Sequence, residues 1–237
     1  MSRPLIFGHR GASAHVRANT VEAYALAVAA GADGVELDVR RSRDGALIIH
    51  HDDRVAPDQP PLVDLDLRQI KATTPWVPTL DDAWNAIGPS ALLNIEIKND
   101  PREADHDSSH SVAKAVVDWI ESHETDARIV VSSFNWGALD VVRRLAPEVP
   151  TGMLASGALD PYSVIRRARS AGHISVNLSL SQTLPDVERI VDAAGDLAVL
   201  VWTVNDPDDA LALAGAGVGG IFTDDPALMV DAFSGRP

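Results

Sequence analysis

Short apolar runs alternate with longer amphipathic ones along almost the whole chain, and this rhythm limits the fold more than any other feature. Apolar runs bounded by turn residues read as buried strands, and three-to-four spacing reads as helices. Candidate strands are Pro4–Gly8, Gly34–Val39, Ala46–His50, Leu92–Ile97, Arg128–Ser132, Thr151–Leu154, Ile174–Asn177, Leu197–Thr203 and Gly219–Phe222. Candidate helices are Asn19–Ala30, Thr79–Ile87, Ser109–Ser122, Trp136–Leu145, Pro161–Ala171, Pro185–Ala194, Pro207–Ala214 and Pro226–Phe233. Pro161, Pro185, Pro207 and Pro226 suit helix first turns. Gly31 and Gly172 suit helix ends. Asn19, with Glu22 three residues on, reads as a capping-box-like start.

Such alternation implies parallel strands joined by crossover helices. Eight units fit into 237 residues, the size of a (β/α)8 TIM barrel, expected as one domain over residues 1–237. Ala46–His50 is then an extra hairpin strand after the second barrel strand. The Asp- and Pro-rich stretch 52–78 reads as a loop excursion at the active face, and the polar stretch Asn99–Ser108 as a second, mobile loop. A doubly wound open sheet is the competing architecture, but no glycine-rich dinucleotide or phosphate loop supports it.

A net charge of −14 argues against nucleic acid or an anionic membrane as partner. It still allows a small anionic substrate, because local charge decides that. With no cysteine, disulfides, thiolate metal sites and a cysteine nucleophile are excluded. No apolar stretch is long enough to span a membrane. The run Met1–Phe7 leaves no room for a signal peptide before His9, so a cytoplasmic location and no stable membrane insertion are expected.

Charge inside apolar runs marks the chemistry. Glu36 and Asp38 are two apart on a strand, so both side chains share a face while Val35, Leu37 and Val39 take the other. Glu96 alternates with Ile95 and Ile97 in the same way. Two like charges ~4 Å apart repel by about 4 kcal/mol at an effective dielectric near 20. Either one acid is protonated, or a cation sits among the three. All-oxygen ligands favour one hard divalent cation, Mg²⁺ or Ca²⁺; separate ion pairs to barrel arginines are the competing account. His9 and His51 can form an acid/base pair, with His51 preferred to His50 because strand alternation puts the two on opposite faces and Asp52 follows to orient His51. His15, His50, His106, His110, His123 and His173 are read as structural. Arg10 and Lys98 are the candidate phosphate ligands. Lysine is rare here, three against 17 arginines, although Lys98 could also pair with Glu96 or Glu36 or serve as a Schiff-base lysine. Phe134 and Trp202 lie near strand ends and can wall a substrate pocket. Thr203, Asn205, Thr223 and Asp224 are explained by turns and caps.

The series His9-Arg10-Gly11, Asn19-Thr20, Gly31 through Val39, Asp44-Gly45, His51-Asp52, Pro78-Thr79-Leu80, Glu96-Ile97-Lys98, Ser132-Ser133-Phe134, Trp202 through Asn205 and Thr223 through Pro226 resembles the glycerophosphodiester phosphodiesterase family across nearly the whole chain. The resemblance implies a TIM barrel of the phospholipase-C-like phosphodiesterase type that hydrolyses glycerophosphodiesters to glycerol 3-phosphate and an alcohol. It implies Glu36, Asp38 and Glu96 as metal ligands, His9 and His51 as catalytic histidines, and Arg10 and Lys98 as phosphate contacts. This chain has Arg17-Ala18 where the family usually has Pro-Glu, and Pro57-Asp58-Gln59 where it usually has Arg-Thr-Thr. Both departures bear on substrate preference. The other readings are a non-catalytic phosphoester-binding barrel, a Schiff-base aldolase using Lys98, and a lysophospholipase-D-like enzyme.

Overall fold

The computed structural model of the protein describes residues 3–123 and 128–234. The ends of the expected 1–237 domain and the first two residues of the Met1–Phe7 run lie outside the described residues. Among the described residues nine strands form: β1 (Leu5–His9), β2 (Gly34–Arg41), β3 (Leu47–Ile49), β4 (Leu92–Ile97), β5 (Ile129–Ser133), β6 (Thr151–Leu154), β7 (Ser175–Ser179), β8 (Ala198–Trp202) and β9 (Gly220–Thr223). The helices are α1 (Val21–Ala29), α2 (Leu67–Thr73), α3 (Leu80–Ile87), α4 (Ser111–Ser122), α5 (Trp136–Leu145), α6 (Pro161–Ala171), α7 (Leu180–Thr183), α8 (Val187–Ala194), α9 (Pro207–Gly215) and α10 (Pro226–Ser234).

The sheet runs β1-β9-β8-β7-β6-β5-β4-β2, and a parallel β1–β2 pairing closes it into an eight-stranded barrel. The expected fold class is the observed one. β3 pairs antiparallel with the carboxyl end of β2, with Val39 opposite Ile49 and Arg41 opposite Leu47, so the excursion after it rises at the barrel mouth. Valine, isoleucine and leucine on the outward faces of the strands pack under the helices, with Val35, Leu37, Val39, Leu93, Ile95 and Val131 all buried there. The floor of the barrel interior is a smaller cluster of Phe7, Leu200 and Phe222, the two phenylalanine rings 5.2 Å apart. Gly34 makes this floor possible, because a side chain there would lie 2.5 Å from the Phe7 ring.

Four local expectations are corrected. The stretch 52–78 contains a 3-10 turn at Leu62–Asp64 and the helix α2, held by a small core of Ile48, Leu62, Ile70 and Val77. Its apolar residues are too few and too spread to show a period in sequence. Thr20, not Asn19, caps α1, accepting the Ala23 N–H at 3.2 Å. Pro185 sits in a 3-10 turn, Leu184–Asp186, ahead of α8, which itself follows the short helix α7. The Asn99–Ser108 stretch is tied down rather than free: the Asn99 side chain accepts the Asp107 N–H at 2.8 Å and donates to the Asp107 carbonyl at 3.0 Å. No helix among the described residues is long and apolar enough to cross a membrane.

Candidate active site

Two-residue periodicity places the charges. On β2 it turns Glu36 and Asp38 into the barrel, and on β4 it turns Asn94 and Glu96 inward, with Lys98 just past the strand end. Asp38 lies opposite Glu96 in the register of the parallel pair. Glu36, Asp38 and Glu96 are all buried, and one oxygen from each lies within 4.8 Å of the others. Two cations balance them. Lys98 Nζ is 2.9 Å from Asp38 Oδ1 and 2.5 Å from Glu96 Oε1, and Arg10 Nε is 3.2 Å from Asp38 Oδ2.

The turn after β1 brings Arg10 to the acids. Arg10 and Gly11 both take positive φ, 58° and 85°, and a side chain at 11 would collide with Ala23 backbone at 2.5 Å. The Arg10 N–H consequently donates to Glu36 Oε2 at 2.9 Å. Asn19, also at positive φ (58°), donates from Nδ2 to Asp38 Oδ2 at 2.7 Å, and its own oxygen accepts from the buried Tyr24 hydroxyl at 3.1 Å. Asn19 is therefore a support of the acid cluster rather than a cap.

Electrostatics divide the trio. Burial, then the charges of Asp38 and Glu96, push Glu36 up to about 8. Burial also raises Glu96, with Lys98 opposing and Asp38 adding to it. For Asp38 burial is outweighed by Lys98 and Arg10, which hold the carboxylate below its ordinary range. Lys98 stays charged: burial disfavours its ammonium, but Glu96 and Asp38 overcome that. Glu36 Oε1 is buried and has no hydrogen-bond partner. An orphaned carboxylate oxygen beside two more carboxylates is a hard donor set, so these residues fit a divalent cation.

Both candidate histidines reach the same cavity, about 240 Å³, whose lining also includes Arg10, Glu36, Glu96, Lys98, Phe134 and Trp202. His9 Nδ1 is 2.7 Å from Asp224 Oδ1. That carboxylate also accepts from Ser13 Oγ at 2.9 Å and from Asn205 Nδ2 at 2.7 Å. Burial works against the His9 imidazolium, but Asp224 and Glu36 outweigh it and raise the pKa above its usual value. Asp224 and Asn205 thus orient His9, and Asp225 does the capping, accepting the Leu228 N–H at 3.0 Å. His51 lies two residues past β3, so strand alternation does not select it. Its Nδ1 is 2.7 Å from the exposed Asp52 carboxylate, and burial followed by the Lys98 charge lowers its pKa. His50 packs instead against Trp76, ring centroids 5.8 Å apart. Arg17, in the first departure from the family pattern, lies over the same Trp76 ring at 4.2 Å. The remaining histidines each have a local partner. Phe134 and Trp202 meet edge-to-face at 5.6 Å and line both this cavity and a neighbour of about 620 Å³ that extends to the Asp100–Glu103 loop, as do His51, Glu96 and Lys98.

A TIM barrel with buried acids, two imidazoles and two cations at the carboxyl ends of its strands defines a class, the barrel enzymes of phosphoester chemistry. The model of the glycerophosphoryl diester phosphodiesterase family matches residues 9–228, and the chain belongs to that family. A glycerophosphodiester phosphodiesterase of Caldanaerobacter subterraneus is 29% identical, with 97% of each chain covered. Among solved structures, an Oleispira antarctica phosphodiesterase in complex with the product sn-glycerol-3-phosphate is 27% identical, with a TM-score of 0.84 over 97% of this chain and 96% of that one. The Thermotoga maritima glycerophosphodiester phosphodiesterase is 26% identical, with a TM-score of 0.82 over 98% and 99%.

Proposed function

We propose that this protein hydrolyses glycerophosphodiesters to glycerol 3-phosphate and an alcohol with the help of one divalent cation, Mg²⁺ or Ca²⁺. The observation that carries the reading is the convergence of Glu36, Asp38 and Glu96 within 4.8 Å, at a cavity that Glu36 and Glu96 line together with His9 and His51. Family membership supplies the reaction class, and the product-bound relative supplies a small-molecule precedent. Glu36, Asp38 and Glu96 would hold the cation, which when bound neutralises phosphate charge and eases ionisation of an attacking hydroxyl. Arg10 and Lys98 line the same cavity and bind phosphoryl oxygens, stabilising charge as it builds. One imidazole accepts the nucleophile's proton and the other protonates the leaving alcohol. The nucleophile is water or the glycerol 2-hydroxyl, the latter giving a cyclic phosphate first. Phe134 and Trp202 wall the organic part of the substrate.

The test is a panel of glycerophosphodiesters, including lysophospholipids, assayed with EDTA and with metal restored, products identified by mass. Glycerol 3-phosphate formed only with metal supports the proposal. Absence of turnover across the panel, with a folded protein that still binds glycerol phosphate, would establish the non-catalytic barrel instead. A substrate adduct on Lys98 trapped by borohydride would move the assignment to Schiff-base chemistry.

A further inference from the structure

The charged row on β2 does not end at Asp38. Arg40 continues it two residues on, and its side chain is fully buried. A buried guanidinium is costly unless its donors are satisfied. Here Nε donates to the carbonyls of His50 at 3.2 Å and His51 at 3.1 Å, and Nη2 also donates to the His51 carbonyl. On its other edge Nη1 meets Asp105 Oδ2 at 2.6 Å and Nη2 meets Glu103 Oε1 at 2.8 Å. The second oxygens of Glu103 and Asp105 are buried without hydrogen-bond partners, so both acids serve Arg40.

These contacts join two segments that flank the cavity. The His50 N–H bonds the Asp38 carbonyl at 3.0 Å, the last ladder-like bond of the hairpin. Beyond it, the carbonyl of His51 is held by Arg40, while the His51 ring hydrogen-bonds to the exposed Asp52 carboxylate and faces the cavity it shares with Glu96 and Lys98. A second tie runs parallel, with Asp53 Oδ2 accepting the Ala104 N–H at 2.9 Å. We propose that Arg40 is a positioning residue: a buried clamp that fixes the His51 backbone against the Asp100–Asp107 loop and so sets where the His51 imidazole stands in the cavity. The inference rests on the reading that His51 works in the proposed reaction. The planar fork is essential to it, because an ammonium cannot serve two carbonyls and two carboxylates at once.

The experiment is a double-mutant cycle on the full chain, with turnover of glycerophosphocholine and of bis-p-nitrophenyl phosphate as readout and circular dichroism to confirm folding. Arg40→Lys is expected to lower kcat about 10–100-fold with little change in KM, since a misplaced group loses rate rather than affinity. In a His51→Ala background the same substitution should change residual turnover less than about two-fold. Losses that multiply in the cycle overturn the clamp. If Arg40→Lys does not fold, Glu103→Gln with Asp105→Asn tests the same tie from the loop side and is expected to lower kcat in the same direction. A readout free of activity uses ¹⁵N-labelled histidine. The His51 ring resonance, assigned by its absence in His51→Ala, should shift or broaden in the clamp variants while that of His9 stays. An unmoved His51 signal overturns the proposal. Full turnover in His51→Ala alone would instead overturn the catalytic reading, with the ring resonance still reporting on the clamp.

Discussion

Replacing Glu36 with glutamine probes the acid cluster where its energetics are clearest. Without a cation, burial and two neighbouring carboxylates push Glu36 from its ordinary 4.5 to about 8. The unfolded chain therefore holds this group ionised at pH 7 while the folded chain must protonate it. The folded state loses stability as pH rises from 4.5 towards 8, because the native form binds the extra proton. At pH 7 the penalty is about 2.5 pH units at roughly 1.4 kcal/mol each, or ~3.5 kcal/mol. Coulomb repulsion of two unit charges no more than 4.8 Å apart gives a similar figure, ~3.5 kcal/mol or more at a dielectric near 20. Glutamine has the same shape and no charge, so Glu36→Gln should be more stable than the wild type in EDTA at pH 7, by up to ~3.5 kcal/mol. The advantage should fade as pH approaches 4.5. Adding Mg²⁺ or Ca²⁺ should close the gap, stabilising the wild type by ~2.7 kcal/mol at a hundred times Kd, and reverse the order at a thousand times Kd, where the gain is ~4.1 kcal/mol, with the variant stabilised far less. Urea melts at several pH values, with EDTA and with each ion, measure all of this. A variant less stable than the wild type in EDTA, yet equally stabilised by the ion, would refute the argument.

Other outcomes follow from the same geometry. His9→Ala and His51→Ala should each cut turnover by about 10²–10⁴-fold with the barrel intact by circular dichroism, and near-normal rates in both would defeat the acid/base assignment. Asp224→Asn removes the anion beside His9, so the His9 pKa, followed by NMR in EDTA-treated protein, should fall. In the wild type this pairing adds stability that is complete below pH ~6.5 and is lost as pH rises through the higher folded value. An unchanged His9 titration would show that Asp224 does not act on it. Phe134→Ala breaks the edge-to-face pair with Trp202 and should raise KM more than it lowers kcat; unchanged steady-state constants would remove Phe134 from the pocket.

The strands were legible because each is a short apolar run with a charge or a turn at its end, and all nine lie within a few residues of their expected bounds. The acid trio was legible for a related reason: a period of two puts Glu36 and Asp38 on one face, and the β2–β4 register then delivers Glu96 opposite Asp38. What stayed hidden depends on contacts between distant parts of the chain. His9 and Asp224 are 215 positions apart, and the spacing of Asp224 suggests only a helix cap. Asn19 looked like a cap because residue type cannot reveal a positive φ or a buried partner such as Asp38. Arg40 carried the right signal, a charge in an apolar strand, but Glu103 and Asp105, which make its burial tolerable, lie in a polar stretch with no period. Helix α2 is hidden because Leu62, Ile70 and Val77, dispersed across a Pro- and Asp-rich segment, close a small core with Ile48 of β3 only after folding.

Crystals grown with Mn²⁺ and measured at an anomalous wavelength address the acid cluster most directly. The account predicts one strong anomalous peak bonded to oxygens of Glu36, Asp38 and Glu96, lost in crystals of Glu36→Gln. Turnover by wild-type protein, with no peak among those three carboxylates or with a peak at other ligands, would contradict it.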